Sequence, residues 1–229
     1  MTVTRVIFEG ESTLAEVDRV SGIFRESKGS VQAVIGVGGG KCLDAARMAA
    51  NRLGKPMVSV PTTASTDAPT AAHSVIYDEQ GGFVEVEFSV VNPLMVLVDL
   101  DVIAASPIRY LVAGMGDAFS TYYEARCCMD NPRALTARGG RPTQAALAIA
   151  RQCRDVLLEF GVSALEEVRS GSAGDAVSRI VEANILLSGI GFESGGLAGA
   201  HAVAQGLTAS HDLHSHFLHG ELVAIGVMT

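Results

Sequence analysis

The strongest constraint on the fold is a change in apolar spacing near residues 100–106. Before it, short β-rich apolar runs alternate with helical patterns, which is the βαβ arrangement of a parallel sheet. The apolar runs are 31–37 and 56–60, and the helical patterns are 12–27 and 41–55. After Ser106 only helical patterns follow, and they cover 143–168, 174–190 and 196–209. The sequence therefore predicts an α/β part followed by an all-helical part.

Two more strand patterns complete the α/β part. Residues 73–77 and 83–90 flank the turn segment DEQGG and predict a hairpin. Its second strand alternates apolar with polar residues, which predicts one buried and one solvent-exposed face. The apolar positions are Val84, Val86, Phe88 and Val90. Residues 94–99 predict a further buried strand. The expected fold class is α/β, a partial Rossmann-like parallel sheet with a hairpin, followed by an all-helical domain.

Charge and composition limit the possible partners. The chain has 229 residues and a formal net charge of −8, so it offers no basic face for nucleic acid or for an anionic membrane. Its first residues lack the apolar core of a signal peptide, and no apolar run is long enough to cross a membrane. We expect a cytoplasmic protein that binds neither nucleic acid nor membranes.

A glycine cluster lies between the strand at 31–37 and the following helix. The stretch VIGVGGGKCLDAAR places Gly36, Gly38, Gly39 and Gly40 where backbone N–H groups and a helix N-terminus could approach a phosphate. Its spacing matches neither of the two common nucleotide fingerprints. A structural turn and a phosphate-binding loop are therefore equally compatible with this cluster. The stretch PTTASTDAPT, which follows the next strand, has the same two interpretations: a turn cluster or a ligand-binding edge.

Three residues in the helical part form a possible metal site. His201 lies in a helix of small residues, His219 begins an apolar helix, and Asp117 is an acid among small apolar residues. A lone histidine of this kind would mean little. Two imidazoles with one carboxylate, however, make a three-ligand site that leaves a position open for a substrate oxygen. A cation would also compensate the buried charge of Asp117.

Five blocks of sequence, taken together and in order, resemble the glycerol dehydrogenase family of the iron-containing alcohol dehydrogenase superfamily. They are GVGGGKCLDAAR, VPTTASTDAPTAAHSVIY, AGMGDAFSTYYEARC, IVEANILLSGIGFESGGLAGAHAVAQGLT and FLHGELVAIG. The resemblance covers nearly the whole chain. It implies a dehydroquinate-synthase-like architecture, with an NAD-binding domain at 1–104, a helical metal- and substrate-binding domain at 105–229, and a divalent metal in the cleft between them.

The resemblance also implies the site residues and the reaction. Zinc would be held by Asp117, His201 and His219, and Asp67 would hold the substrate hydroxyls. NAD would contact Gly38, Gly39, Gly40, Lys41, Cys42, Thr62, Thr63, Ser65 and Tyr77. The implied reaction is oxidation of glycerol, or of a similar vicinal diol, to dihydroxyacetone by hydride transfer. A small polyol is the expected partner, and a homo-oligomer is the expected assembly.

The chain departs from the family pattern at several points. Cys42 stands where threonine is common, and family members carry an additional N-terminal strand segment and additional C-terminal helices. The ends are therefore expected to be truncated, and the alternatives are a non-catalytic metal-binding remnant or one half of a split enzyme. A phosphate-substrate enzyme of the same superfamily is disfavoured because basic residues are scarce around the expected site. His211, His214 and His216 are interpreted as solvated loop residues or as groups behind the ligands.

Overall fold

The computed structural model describes residues 2–27, 29–208, 210, 213 and 216–229. Contacts between residues divide the chain into two compact units. One contains the residues up to Thr62 together with Ala68–Val98, and the other contains Thr63–Asp67 together with Asp99–Thr229. The expected fold class is confirmed, because a parallel sheet and a hairpin are followed by helices. The domain limits at 1–104 and 105–229 stay a prediction.

The first unit is an α/β unit. Its elements are α1 (Leu14–Glu26), β1 (Val34–Gly38), α2 (Gly40–Leu53), β2 (Met57–Pro61), β3 (His73–Tyr77), β4 (Phe83–Phe88) and β5 (Met95–Val96). The strands β1, β2 and β5 form a parallel sheet with β2 in the centre, and β3 pairs antiparallel with β4. Helix α2 packs on β1 and β2, and α1 packs on α2.

Local sequence accounts for the limits of these helices. The hydroxyl of Thr13 accepts a hydrogen bond from the backbone N–H of Glu16 at 3.1 Å and so caps the start of α1. Helix α2 ends at Gly54, whose φ of 62° lies in the left-handed region that favours glycine. The face of the sheet under α2 is apolar, with Val34 and Met57 buried against the helix.

The predicted burial of the second hairpin strand is wrong. Val84, Val86 and Phe88 are exposed, Val90 is 92% exposed, and the neighbouring polar Ser89 is buried instead. Alternation of apolar residues defines a face, but burial of that face needs a second layer, and β4 pairs only with β3 among the described residues.

The strand predicted at 94–99 also differs from expectation. Only Met95–Val96 forms a strand, and it lies at an edge of the parallel sheet. Leu94, Met95 and Leu97 are exposed rather than buried. On the neighbouring β1, the alternate residues Ile35 and Val37 are exposed as well. In the described chain, therefore, the parallel sheet is covered by helices on one face only.

The second unit is helical. Its helices are α3 (Leu100–Ala104), α4 (Ile108–Asp130), α5 (Gln144–Arg169), α6 (Asp175–Glu182), α7 (Ser188–Gly195), α8 (Gly199–Leu207) and α9 (His219–Met228). No strand occurs among the residues of this unit that the structure describes, as the sequence predicts. Helix α4 packs against α5, α7 and α9. None of the helices in the described residues is both long and apolar enough to cross a membrane.

The helix predicted over 174–190 is interrupted by a π-helical turn. The turn spans Ala183–Leu187 and separates α6 from α7. It contains the buried Asn184, whose side-chain amide donates to the carbonyls of Ala64 at 2.9 Å and Leu111 at 3.2 Å. The turn therefore ties the segment Thr63–Asp67 to the first turn of α4. Such π-helical turns are frequent at functional sites, and apolar spacing alone does not reveal them.

Candidate functional site

Glycines allow α4 and α9 to approach each other closely. A Cβ atom on Gly220, in the first turn of α9, would lie 1.9 Å from the carbonyl oxygen of Ala113 on α4. A Cβ atom on Gly116 would in turn lie 2.6 Å from the carbonyl oxygen of Gly220. Because any side chain at either position would push the helices apart, these glycines place His219 beside Asp117.

Helix α8 meets α9 in a similar way. A Cβ atom on Gly226 would lie 2.3 Å from the carbonyl oxygen of Ala200, the residue before His201. Buried Ala204, Leu222 and Val223 continue the apolar contact between the two helices. The backbones of α4, α8 and α9 therefore converge, and each helix contributes one predicted ligand.

The structure brings together Asp117, His201 and His219. The Oδ1 atom of Asp117 lies 3.5 Å from Nε2 of His201 and 3.5 Å from Nε2 of His219. One potential ligand atom from each residue lies within 4.8 Å of the other two. Asp117 is only 3% exposed, and its Oδ1 atom has no hydrogen-bond donor.

This arrangement fits a divalent cation. Metal–ligand distances of about 2.0–2.2 Å in a tetrahedral site separate neighbouring ligand atoms by about 3.3–3.6 Å. The two observed separations of 3.5 Å agree with that value. A buried carboxylate oxygen without a donor is costly, and a bound cation would compensate it. Two imidazoles and a carboxylate are ligands of the kind that zinc and related metals accept.

The charges around this cluster also favour a cation. Burial alone would lower the pKa of His201, but Asp117 and Glu124 outweigh it and raise that pKa to about 10. Burial and then the nearby carboxylate of Asp117 raise the pKa of Asp67 to about 8. Burial would also raise the pKa of Asp117, yet its contacts with His201 and His219 lower it. The two ionised carboxylates of Asp117 and Glu124 thus lie beside a single cationic imidazole, which leaves this cluster with a net negative charge.

Asp67 lies beside the cluster without joining it. Oδ2 of Asp67 accepts a hydrogen bond from the Ser188 hydroxyl at 2.9 Å. Oγ of Ser188 is in turn 3.0 Å from Oγ1 of Thr121. Among the described residues, Asp67 is not one of the three side chains whose ligand atoms converge. This geometry separates the expected substrate residue from the expected ligands.

Sequence reasoning missed two side-chain partners of the site. Glu124 is buried, and its Oε2 atom lies 2.6 Å from Nδ1 of His201. Its spacing of seven residues from Asp117 places both on one face of α4, and that was the available signal. Arg109 pairs with Glu221 through two hydrogen bonds of 2.7 Å and so fixes the start of α9, next to His219.

The predicted cofactor residues of the first unit lie around the turn between β1 and α2. Gly39 precedes α2 in an extended conformation, and no side chain caps that helix start. Cys42 points back to the turn, where its Sγ atom donates to the carbonyl of Val37 at 3.4 Å. A Cβ atom on Gly38 would lie 2.7 Å from the Cβ of Cys42, so glycine is required there by close packing alone.

Other predicted residues take different positions. Lys41 forms an ion pair with Glu11, and its Nζ atom lies 5.3 Å from the ring centroid of Tyr77. The backbone N–H of Thr62 donates to the carbonyl of Gly38 at 3.1 Å, which brings Thr62 to the glycine turn. In the second unit, the Oγ atoms of Thr63 and Ser65 are 3.4 Å apart.

The remaining loop histidines are only partly described. His216 is exposed, and its carbonyl accepts a hydrogen bond from Arg109 at 2.6 Å. Its interpretation as a solvated residue or as a group behind the ligands stays a prediction. His211 and His214 lie outside the described residues.

Comparison with known proteins shows which proteins the chain resembles. Residues 2–107 match the family model described as iron-containing alcohol dehydrogenase. The chain is 50% identical to a glycerol dehydrogenase of Thermotoga maritima, over 99% of this chain and 61% of that protein. Nearly the whole chain is therefore similar to proteins of the glycerol dehydrogenase group, and its first 107 residues match the iron-containing alcohol dehydrogenase model.

Two solved structures support the same relationship. The structure of glycerol dehydrogenase from Schizosaccharomyces pombe superposes with a TM-score of 0.93 and 41% identity, covering 100% of this chain and 57% of that chain. A probable glycerol dehydrogenase from Sinorhizobium meliloti gives a TM-score of 0.91 and 44% identity, with 96% and 61% covered. The chain thus spans about three fifths of the length of these relatives.

Proposed function

We propose that the chain takes part in the oxidation of glycerol, or of a similar vicinal diol, with NAD as hydride acceptor and zinc as the bound metal. The observation that carries this proposal is the convergence of Asp117, His201 and His219 around a buried carboxylate oxygen that has no donor. The similarity to glycerol dehydrogenases supports the substrate class.

Each side chain would have a separate task. Asp117, His201 and His219 would hold the cation, which when bound supplies Lewis acidity to a substrate hydroxyl. Asp67 would accept a hydrogen bond from a neighbouring hydroxyl of the diol, and the Ser188 hydroxyl holds the Asp67 carboxylate in position. A vicinal diol suits this division, because one hydroxyl can meet the cation while the other meets Asp67.

The glycine turn is the proposed site for the cofactor diphosphate. Gly39 presents the uncapped N-terminus of α2, where backbone N–H groups favour an anion. Thr62, which follows β2, lies next to this turn because its backbone N–H is bonded to the carbonyl of Gly38. The further proposed NAD contacts are Gly40, Lys41, Cys42, Thr63, Ser65 and Tyr77.

Zinc binding by the purified chain tests the metal site. The zinc content of the wild type should approach one ion per chain, and His219→Ala should lose most of it. His73→Ala is the matched control, because His73 lies on β3 in the first unit and should leave zinc binding unchanged. Equal zinc content in the wild type and His219→Ala would remove His219 from the proposed site.

Substrate comparison tests the reaction. Reduction of NAD should be faster with glycerol than with glycerol phosphate, because the carboxyl groups of Asp67, Asp117 and Glu124 outnumber the one cationic imidazole beside them. Faster reaction with the phosphate ester would favour a phosphate-substrate enzyme of the same family. Full zinc binding without turnover of any diol would instead support the non-catalytic alternative or one half of a split enzyme.

A further inference from the structure

The two oxygens of the buried Glu124 carboxylate have different partners. Oε1 accepts hydrogen bonds from the backbone N–H groups of Ala198 and His201, both at 2.9 Å. Oε2 lies 2.6 Å from Nδ1 of the His201 ring, and the Ser120 hydroxyl lies 3.4 Å from the same oxygen. One side chain on α4 therefore contacts both the backbone and the imidazole of a residue on α8.

Part of this arrangement is structural. Helix α8 begins after Ala198, which has no side chain that can cap it. Oε1 of Glu124 supplies the missing acceptor for the first N–H groups of α8, as an N-cap side chain would. Capping accounts for Oε1, but it leaves the contact between Oε2 and the imidazole unexplained.

The second contact determines which ring nitrogen carries a proton. An ionised carboxylate only accepts hydrogen bonds, so Nδ1 of His201 must be the donor. In the neutral imidazole the lone pair then lies on Nε2, the atom that faces Oδ1 of Asp117 at 3.5 Å. A metal ligand needs that lone pair, and a hydrogen bond at the opposite nitrogen also fixes the orientation of the ring.

We propose that Glu124 is a positioning residue that holds His201 in the Nδ1–H tautomer, with its Nε2 lone pair directed at the cation site. This role rests on the proposed metal site. Glu124 lies on the same face of α4 as Asp117, two helical turns away. Helix α4 therefore supplies one ligand, Asp117, and also orients a second ligand, His201.

Glu124→Gln separates positioning from capping. The amide oxygen can still accept from the start of α8, but the NH₂ group then faces Nδ1 and can only donate to it. The imidazole proton is thereby moved to Nε2, where it blocks the metal. We expect zinc affinity to fall by about 10- to 100-fold, the usual effect of removing a group that orients a ligand.

Glu167→Gln is the matched control. Its carboxylate on α5 also accepts two backbone N–H groups at the start of another helix, those of Ala176 at 3.3 Å and Val177 at 2.9 Å on α6. No contact with a histidine accompanies this capping in the described structure. Glu167→Gln should lower the unfolding temperature of the metal-free chain at least as much as Glu124→Gln, because its two N–H partners use different oxygens and one of them would face the amide NH₂. Only Glu124→Gln should weaken zinc binding.

Two readouts decide the proposal: the zinc dissociation constant, and the ¹⁵N chemical shifts of the His201 ring in the metal-free chain, recorded above pH 10 so that the imidazole is neutral. We expect the Nδ1–H tautomer in the wild type and the Nε2–H tautomer in Glu124→Gln. Unchanged tautomer and zinc affinity in the variant would overturn the positioning role while leaving the metal site intact. A wild-type chain that binds no zinc would overturn the metal site, and the positioning role with it.

Discussion

Replacing Gly220 by alanine should disrupt the metal site while the rest of the chain stays folded. The added Cβ atom would lie 1.9 Å from the carbonyl oxygen of Ala113. Close contacts between carbon and carbonyl oxygen are about 3.3–3.6 Å, so α9 and α4 must separate locally by roughly 1.4–1.7 Å. Metal–ligand distances tolerate only about 0.2 Å, so a displacement of this size next to His219 should abolish tight zinc binding.

Thermal unfolding with and without zinc measures both consequences. Overpacking should cost about 1–3 kcal/mol in the metal-free chain, which lowers Tm by roughly 2–12 °C for a chain of this size. Zinc at about 100 times its dissociation constant should stabilise the wild type by about 2.7 kcal/mol, which raises Tm by roughly 5–11 °C. The Gly220→Ala variant should show almost none of this increase.

Gly206→Ala is the control for glycine replacement in a helix. Gly206 lies on α8, and a Cβ atom added there meets nothing within 4 Å. This variant should gain about 0.5–1 kcal/mol from helix propensity and keep the full zinc response. A Gly220→Ala variant with the zinc response of the wild type would refute the argument that close helix approach positions His219.

Three further predictions concern Asp67, Gly39 and Glu16. Asp67→Asn should keep its zinc but lower kcat/KM for glycerol roughly 10- to 150-fold, which corresponds to a loss of about 1.5–3 kcal/mol of transition-state stabilisation. Loss of zinc in this variant would make Asp67 a ligand instead. Gly39→Val should weaken NAD binding in a titration, because a side chain would enter the proposed phosphate path; unchanged affinity would exclude this turn. The Arg19 hydrogen bond lowers the pKa of Glu16 below its ordinary value of 4.5, so this pair stabilises the fold above that pH and is lost as pH falls. The difference in the free energy of unfolding between the wild type and Glu16→Gln should therefore become smaller below pH 4.5. A difference that stays constant with pH would contradict this role of the pair.

The element types could be predicted from sequence because each depends on local spacing. The change to helical patterns after Ser106 appears as a helical second unit, and the glycine run after β1 appears as a turn leading into α2. The grouping of Asp117, His201 and His219 was also predicted, because each is a polar residue in an otherwise apolar or small-residue helix. Such positions stand out against the periodic background, so residue type and helix assignment were enough to select them.

Burial was not predictable in the same way. The alternation of Val84, Val86 and Phe88 defines a face, but only the arrangement of the layers decides whether another element covers it. The π-helical turn at Ala183–Leu187 is similar, because the amide of Asn184 bonds to carbonyls distant in sequence. The local spacing of apolar residues does not indicate those partners.

The sequence by itself determined which residues could bind a metal, and tertiary structure decided how they are held. Glu124 precedes His201 by 77 residues, and nothing in the local pattern of α4 indicates a bond to α8. The close approach of Gly220 to Ala113 likewise joins segments far apart in the chain. Helical periodicity is a property of neighbouring residues and can be recognised in the sequence. Ligand geometry depends on how separate helices pack, so it is defined only in the folded chain.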